Sequence, residues 1–217
     1  VTFNCNVPTY ALYVSNEYSP FYHCDNINTV TLNNGITSIG DSAFKNCTWL
    51  SGALTLPSSL ITIGMDAFMG CTGLTSISFP STLTTIKSNA FNNCEELTGL
   101  IFPNSLTSIG TRAFENCKKI TTINIPAGLT TITNLGSDSQ PFVGCEKLAI
   151  ITIDSDNTVY TDGGGNNCII QKSNMFLLLG CLGTIIPDGV ISINNYAFNH
   201  CDITTINIPA SVTGVTT

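Results

Sequence analysis

Charge is what this chain of 217 residues lacks, with only 10% Asp, Glu, Lys and Arg where an ordinary globular domain carries roughly 25%. Its seven Lys and Arg are scattered and its formal net charge is −7, so it has no basic footprint for nucleic acid or anionic lipid. No apolar run approaches the ~20 residues of a spanning helix, since the longest candidate, Met175 to Leu179, is broken by Gly180 and Cys181. Neither a nucleic-acid partner nor membrane insertion is expected. No basic stretch followed by an apolar one opens the chain at Val1, so any secretory signal is expected to have been removed or never to have existed. Histidine occurs only twice, and His23 and His200 lie many turns apart in a repeat array. They read as separate rim residues, not as joint metal ligands.

With charge so scarce, Ser, Thr and Asn must supply the wet surface. Cysteine is plentiful, at ten residues, and in a small secreted protein that number suggests a disulfide framework. The placement argues otherwise. Cys24, Cys47, Cys71, Cys94, Cys117, Cys145 and Cys201 each follow a Phe by three residues, so they hold one structural position in successive copies and read as small, buried, free thiols. Cys5, Cys168 and Cys181 fall outside this ladder, and a Cys5–Cys24 bond is the exception to expect.

The phrase around these cysteines organises the chain. It reads AFKNC at Ala43, AFMGC at Ala67, AFNNC at Ala90, AFENC at Ala113 and AFNHC at Ala197, with variants opening on Pro20 and Pro141. Its Phe recurs at residues 21, 44, 68, 91, 114 and 142, a period that signals a solenoid. Within a copy, Leu74-x-x-Ile77-x-Phe79 alternates as a strand, with Ile77 and Phe79 inward and Ser76 and Ser78 outward. Pro80 ends that strand because it has no N–H to donate. Leu83 to Ile86 returns along the other side, ending at a position often taken by Gly40, Gly64 or Gly110, which suits a positive-φ turn. The Ala-Phe phrase then makes a corner, expected to be one turn of helix.

A single copy cannot fold alone, since it buries too few side chains to offset the ordering of its backbone; stability must be shared along the array. Residues 1–19, rich in Tyr, are expected to cap its N-terminal end, and residues 20–217 to form the solenoid. Two irregular insertions are expected, at 133–141 and 154–175. The first reads as a projecting loop. In the second, Asp162 to Asn167 reads as a turn and Gln171 to Met175 as the tip of a hairpin between Cys168–Ile170 and Phe176–Leu179. The opening of a further copy at Ile208 to Thr213 suggests a longer parent chain.

The phrases Ile206-Asn207-Ile208-Pro209-Ala210-Ser211-Val212-Thr213, Ser108-Ile109-Gly110-Thr111-Arg112-Ala113-Phe114 and Cys117-Lys118-Lys119-Ile120 closely resemble the BspA-like, treponemal-type leucine-rich repeat. The resemblance runs from about Phe21 to Thr217 and departs from the pattern at Tyr10 to Ser19 and at both insertions. It implies an α/β solenoid that is mostly β: a right-handed leucine-rich-repeat array of eight to nine turns, with short strands and one-turn helical corners, roughly 40 Å long at ~4.8 Å per strand. It further implies a binding or adhesion scaffold, extracellular or at the cell surface, that recognises a host or microbial protein or glycan.

If the strands lie side by side, their outward positions form an uncharged strip. The candidate ligand-binding residues are Thr29, Thr31, Thr55, Ser76, Ser78, Ile101, Thr122, Asn124, Thr205 and Asn207, with Thr152 on the same line and Ala53, Gly99 and Ile150 interrupting it. The plainer reading is ordinary solvated sheet, where Thr has good strand propensity. A second functional class is a stalk or spacer that displays another domain, and a third is ice binding through flat threonine rows such as Thr29-Val30-Thr31. Asp154-Ser155-Asp156-Asn157 with Asp162 offers oxygen ligands but lacks the Gly and Glu of a calcium loop, so it reads as a solvated turn. Gly163 to Gly165 leads into an apolar hairpin and not a helix, as a phosphate loop would, and no Ser, His and acid form a recognisable nucleophilic constellation. No catalytic residue, metal site or cofactor is expected.

Overall fold

A computed structural model describes residues 30–199 and 201–215. The 1–19 cap, the Cys5–Cys24 bond, Thr29, His23 and His200 lie outside the described residues. The rest is a β-solenoid of the leucine-rich-repeat type, with about eight turns.

Its strands, in chain order, are β1 (Ser38–Ile39), β2 (Ser51–Thr55), β3 (Thr62–Ile63), β4 (Gly73–Ser78), β5 (Thr85–Ile86), β6 (Gly99–Leu100), β7 (Ser108–Ile109), β8 (Thr122–Ile125), β9 (Thr131–Ile132), β10 (Ile150–Ile153), β11 (Tyr160–Thr161), β12 (Cys168–Gln171), β13 (Phe176–Gly180), β14 (Ser192–Ile193) and β15 (Gly214–Val215). Between residues 38 and 153 each coil contributes one strand to a back face and one to a front face, and β11 to β15 form a separate sheet. The back strands form one parallel sheet, β1-β3-β5-β7-β9, in which every Ile pairs with the Ile of the next coil. The front strands form a two-stranded sheet, β2-β4, and a three-stranded one, β10-β8-β6.

The corners are not helical, and the described residues contain no helix. The reason is an alternation of backbone hand. In four successive corners the residue before Ala and the residue before Cys both have positive φ: Ser42 and Asn46, Asp66 and Gly70, Asn89 and Asn93, Arg112 and Asn116. Each left-handed residue turns the next peptide out of helical alignment, and Asn, Asp and Gly are the types that tolerate this most cheaply. The N–H groups therefore alternate in their targets. Those of Ala43, Lys45 and Cys47 bond locally to Gly40, Ser42 and Phe44, whereas those of Ser42, Phe44 and Asn46 donate to Met65, Ala67 and Met69 of the next coil. The corner is thus a third ladder along the solenoid.

The glycines at the end of the back strand are also used differently from the expectation. Gly40, Gly64 and Gly110 do not adopt positive φ. A Cβ on Gly64 would sit 2.7 Å from the backbone of Gly40 and Asp41, so the residue is small because consecutive coils approach closely there.

Between the two faces lies a main apolar core, with a second, smaller one around Ile170, Leu177 and Val190. The rings of Phe44, Phe68, Phe91, Phe114 and Phe142 stack with centroids 5.2, 5.2, 5.3 and 5.8 Å apart and interplanar angles of 7° or less. Phe68, Phe91 and Phe114 are fully buried, as is the Ala before each. Phe91→Ala should therefore cost about 3–5 kcal/mol, whereas exposed Ser78→Ala should stay within ~0.5 kcal/mol. Denaturant unfolding of the two variants checks this, and equal stability would contradict the stacked core.

Candidate functional site

The front face is built by alternation that is broken by an extra outward residue at Thr75, Thr98 and Thr121 and by a register shift between Gly52 and Ala53. Leu54, Leu100, Ile123 and Ile151 point into the core, and the residues between them form ranks that run along the solenoid. One rank is Ala53, Ser76, Gly99, Thr122 and Ile150, in which Ala53 pairs with Ser76 and Thr122 pairs with both Gly99 and Ile150. The next joins Thr55 to Ser78 and Asn124 to Thr152, with Ile101 between the two pairs. Ser76, Ser78 and Thr55 are exposed, Thr122 and Asn124 are half-buried, and Ile101 stands out at 80% exposure.

The remaining candidates are not brought into this sheet. Thr31 is exposed but precedes β1 and belongs to no strand, and Thr205 and Asn207 are exposed in a segment without strand pairing. The candidate positions therefore lie side by side between Thr55 and Thr152, in two pieces, and do not run continuously to residue 207.

Several of its polar groups are already occupied. Asn124 Oδ1 accepts from the Phe102 N–H at 2.7 Å and its Nδ2 donates to the Phe102 carbonyl at 3.3 Å. The Thr98 hydroxyl donates to the Thr75 carbonyl and the Thr121 hydroxyl to the Thr98 carbonyl. Thr75, Thr98 and Thr121 form a further exposed rank that the inward/outward reading of the strand missed. Its signal was available in the sequence as a Thr one residue after Leu74, Leu97 and Ile120.

A second polar surface was also missed. On the back sheet, exposed or half-exposed Thr37, Ile61, Thr84, Thr107 and Thr130 stand beside Ser38, Thr62, Thr85, Ser108 and Thr131. Here too the Thr84 and Thr107 hydroxyls donate to the carbonyls of Ile61 and Thr84. These pairs are adjacent in sequence and not spaced by two, so they do not make the T-x-T rows of the ice-binding reading.

Charge is excluded from the strands of both faces and lies in the corners and turns. Lys45 pairs with Asp66 at 2.8 Å, Lys118 with Glu95 at 3.0 Å and Lys119 with Glu96 at 2.6 Å, each joining neighbouring coils. Such solvated pairs contribute little stability. The two insertions bring no open loop chemistry to the strip. Residues 133–140 do not project: Gln140 is fully buried and its Nε2 donates to the Tyr196 carbonyl at 3.2 Å. Asp154 and Asp162 cap their own turns by accepting from the N–H of Asp156 and Gly164. Among the described residues no three His, Cys, Asp or Glu side chains are placed to hold a metal ion.

The model of the BspA type leucine rich repeat region matches residues 15–149 and 172–217 in six copies. The chain belongs to the BspA-type leucine-rich-repeat family. No curated protein sequence matches it. Among solved structures, a leucine-rich repeat protein from Eubacterium ventriosum is 28% identical with a TM-score of 0.73, covering 91% of this chain and 52% of that one. A leucine rich cell surface protein from Faecalibacterium prausnitzii is 28% identical with a TM-score of 0.60, covering 86% and 56%. A leucine-rich repeat protein from Bacteroides ovatus is 25% identical with a TM-score of 0.59, covering 83% and 49%. The chain thus spans about half the length of these proteins.

In this BspA-type array the ladder cysteines are more than filler. The thiols of Cys71, Cys94, Cys117 and Cys145 donate to the carbonyls of Phe44, Phe68, Phe91 and Phe114, at 3.1 to 3.3 Å, so each closes its corner onto the preceding coil. Cys71, Cys94, Cys117, Cys145, Cys168, Cys181 and Cys201 are free thiols. Burial pushes the thiols of Cys94 and Cys145 up to about 12 and raises those of Cys71 and Cys117 as well. Because these pKa values are raised on folding, the neutral thiols favour the folded state fully below the ordinary value of 9.0. That contribution is lost as pH climbs from there toward 12. The native chain should accordingly give almost no reaction with a thiol reagent at pH 8, with about seven or more thiols appearing on denaturation without reductant, since buried thiols are inert. Fewer than four would contradict the free ladder.

Proposed function

We propose that this chain is a noncovalent binding scaffold, extracellular or displayed at a cell surface, whose front face receives a host or microbial protein or glycan. The observation that carries the reading is the separation of charge from sheet: β2, β4, β6, β8 and β10 contain no ionisable side chain, while Ile101 protrudes from a field of small hydroxyls. A solenoid face with fixed backbone and short side chains orders little on binding, which lowers the entropic cost of recognition. The family, and the description of the Faecalibacterium relative as a cell surface protein, support the location.

A second reading, a stalk or spacer, is favoured by the internal use of polar groups. With the hydroxyl protons of Thr98 and Thr121 and the oxygen and one N–H of the Asn124 amide engaged within the array, part of the front face has hydrogen-bond donors committed. At Thr98 and Thr121 what remains is acceptor capacity, whereas Ser76 and Ser78 keep their donors.

The test is a glycan array and a pull-down from host-cell extract with the purified chain, repeated with Ile101→Asp combined with Ser78→Lys. Both positions are exposed, so stability should stay within ~0.5 kcal/mol, and binding should fall at least about tenfold through loss of the apolar contact and insertion of unmatched charge. Because no charge on the face steers association, affinity should change little with added salt. Binding that survives the double variant would move the site elsewhere, and no binding by the intact chain would favour the stalk.

A further inference from the structure

We propose that the solenoid is built as two cooperative blocks, joined between Ile153 and Tyr160 by a side-chain-held joint, so that the second block can open while the first, which carries the hydroxyl strip, stays folded. The observation is that all three axial ladders stop at one place. The back sheet β1-β3-β5-β7-β9 ends, and a separate sheet, β11-β12-β13-β14-β15, begins. The front ladder ends at β10, after which the Leu182 N–H to Leu148 carbonyl bond, at 3.1 Å, links the coils. The corner ladder runs to Phe114 onto Pro141 and Asn116 onto Val143, and resumes only at Gly180 onto Ala197.

The aromatic stack stops at the same joint. Gly180 holds the corner position of Phe, as shown by the Cys201 thiol donating to its carbonyl at 3.2 Å. A side chain there would collide with the Phe198 ring, so the stack that ends at Phe142 cannot continue through this coil. In its place stands the β12–β13 hairpin, an antiparallel pair with one face toward each block. Ile169, Leu178 and Leu179 join the core of the first block. Cys168, Ile170 and Leu177 join a second core with Ile186, Val190, Ile193 and Ala197.

Backbone bonding therefore assigns the hairpin to the second block, and its contact with the first is largely apolar. Polar links reinforce the joint, beginning with the buried Asn157 Nδ2, which donates to the carbonyls of Pro126 and Leu129 at 2.8 and 2.9 Å. The Tyr160 hydroxyl accepts from the Ile132 N–H at 3.3 Å, and the 133–140 insertion straps across the hairpin coil, with Gly136 against the Asn194 side chain and Gln140 bonded to Tyr196. In an array whose stability is a sum of neighbour interfaces, the interface without backbone ladders is the one that separates first.

Hydrogen exchange of the full chain, read by mass spectrometry on segments of β1–β9 and of β11–β14, tests this directly. Two protection levels are expected, the lower in β11–β14. Gln140→Ala lies in the sequence of the first block, yet it should speed exchange in β12 and β13 at least about tenfold while leaving β3, β5 and β7 within about twofold. Tyr160→Phe should act in the same direction and more mildly. One common protection level, or a rise shared equally by both blocks, would overturn the proposal, and no change in either block on Gln140→Ala would remove the strap.

Discussion

The structure depends on one constraint: a coil of about 23 residues cannot satisfy its own backbone, so its N–H and C=O groups must be met by the coils on either side. Three ladders discharge that requirement, at the front strands, the back strands and the corners. The corner ladder is the least obvious and the most demanding of sequence. It requires two left-handed residues per corner, which explains why Asn or Gly so regularly precedes the cysteine. Phe and Cys follow from the same geometry: the ring fills the space that the ladder holds open, and the thiol meets the carbonyl of the preceding Phe, which would otherwise be buried with one partner fewer.

How much of this was legible in the sequence depended on whether a feature repeats. Periodic apolar positions such as Leu74, Ile77, Leu97 and Leu100 reported the inward faces, because burial selects residue type directly. The AFxxC phrase announced a corner but not its conformation. A short Ala-Phe-x-Asn run is compatible with a helical turn by propensity, and only the inter-coil hydrogen bonds of Phe68 and Asn93 decide for alternating hand. The candidate strip was readable between Thr55 and Thr152 for the same reason as the core, by alternation. It was overextended to Thr205 and Asn207 because equal position in a repeat does not guarantee an unbroken ladder between repeats. The insertion at 133–141 looked like a projecting loop on composition, yet its buried Gln140 makes a long-range contact that no local pattern encodes.

The same ladders shape what the surface can recognise. A threonine on a solenoid face has two roles that compete for one proton. Where Thr84, Thr98, Thr107 and Thr121 donate to a carbonyl of the previous coil, they improve the array and surrender a donor. The outward hydroxyl oxygen then only accepts. Ser76 and Ser78, which lie on the inner ranks of the front face, are the residues placed to keep both capacities beside the exposed side chain of Ile101.

The distribution of charge completes this logic. An array of stacked, nearly identical coils would place like charges about 5 Å apart if a charged residue stood on a strand, and like charges directly opposite across a ladder are destabilising. Alternating signs remove that penalty only where successive coils differ, as Glu95 and Glu96 differ from Lys118 and Lys119 at the corners. On the faces, where successive coils are most alike, neutrality is the general solution. The uncharged strip is therefore first a consequence of stacking. One coil departs from the pattern its neighbours impose: Ile101 stands in a rank otherwise held by Thr55, Ser78, Asn124 and Thr152, and stacking alone gives no reason for an aliphatic side chain to remain in water there, which is what supports the proposed binding face.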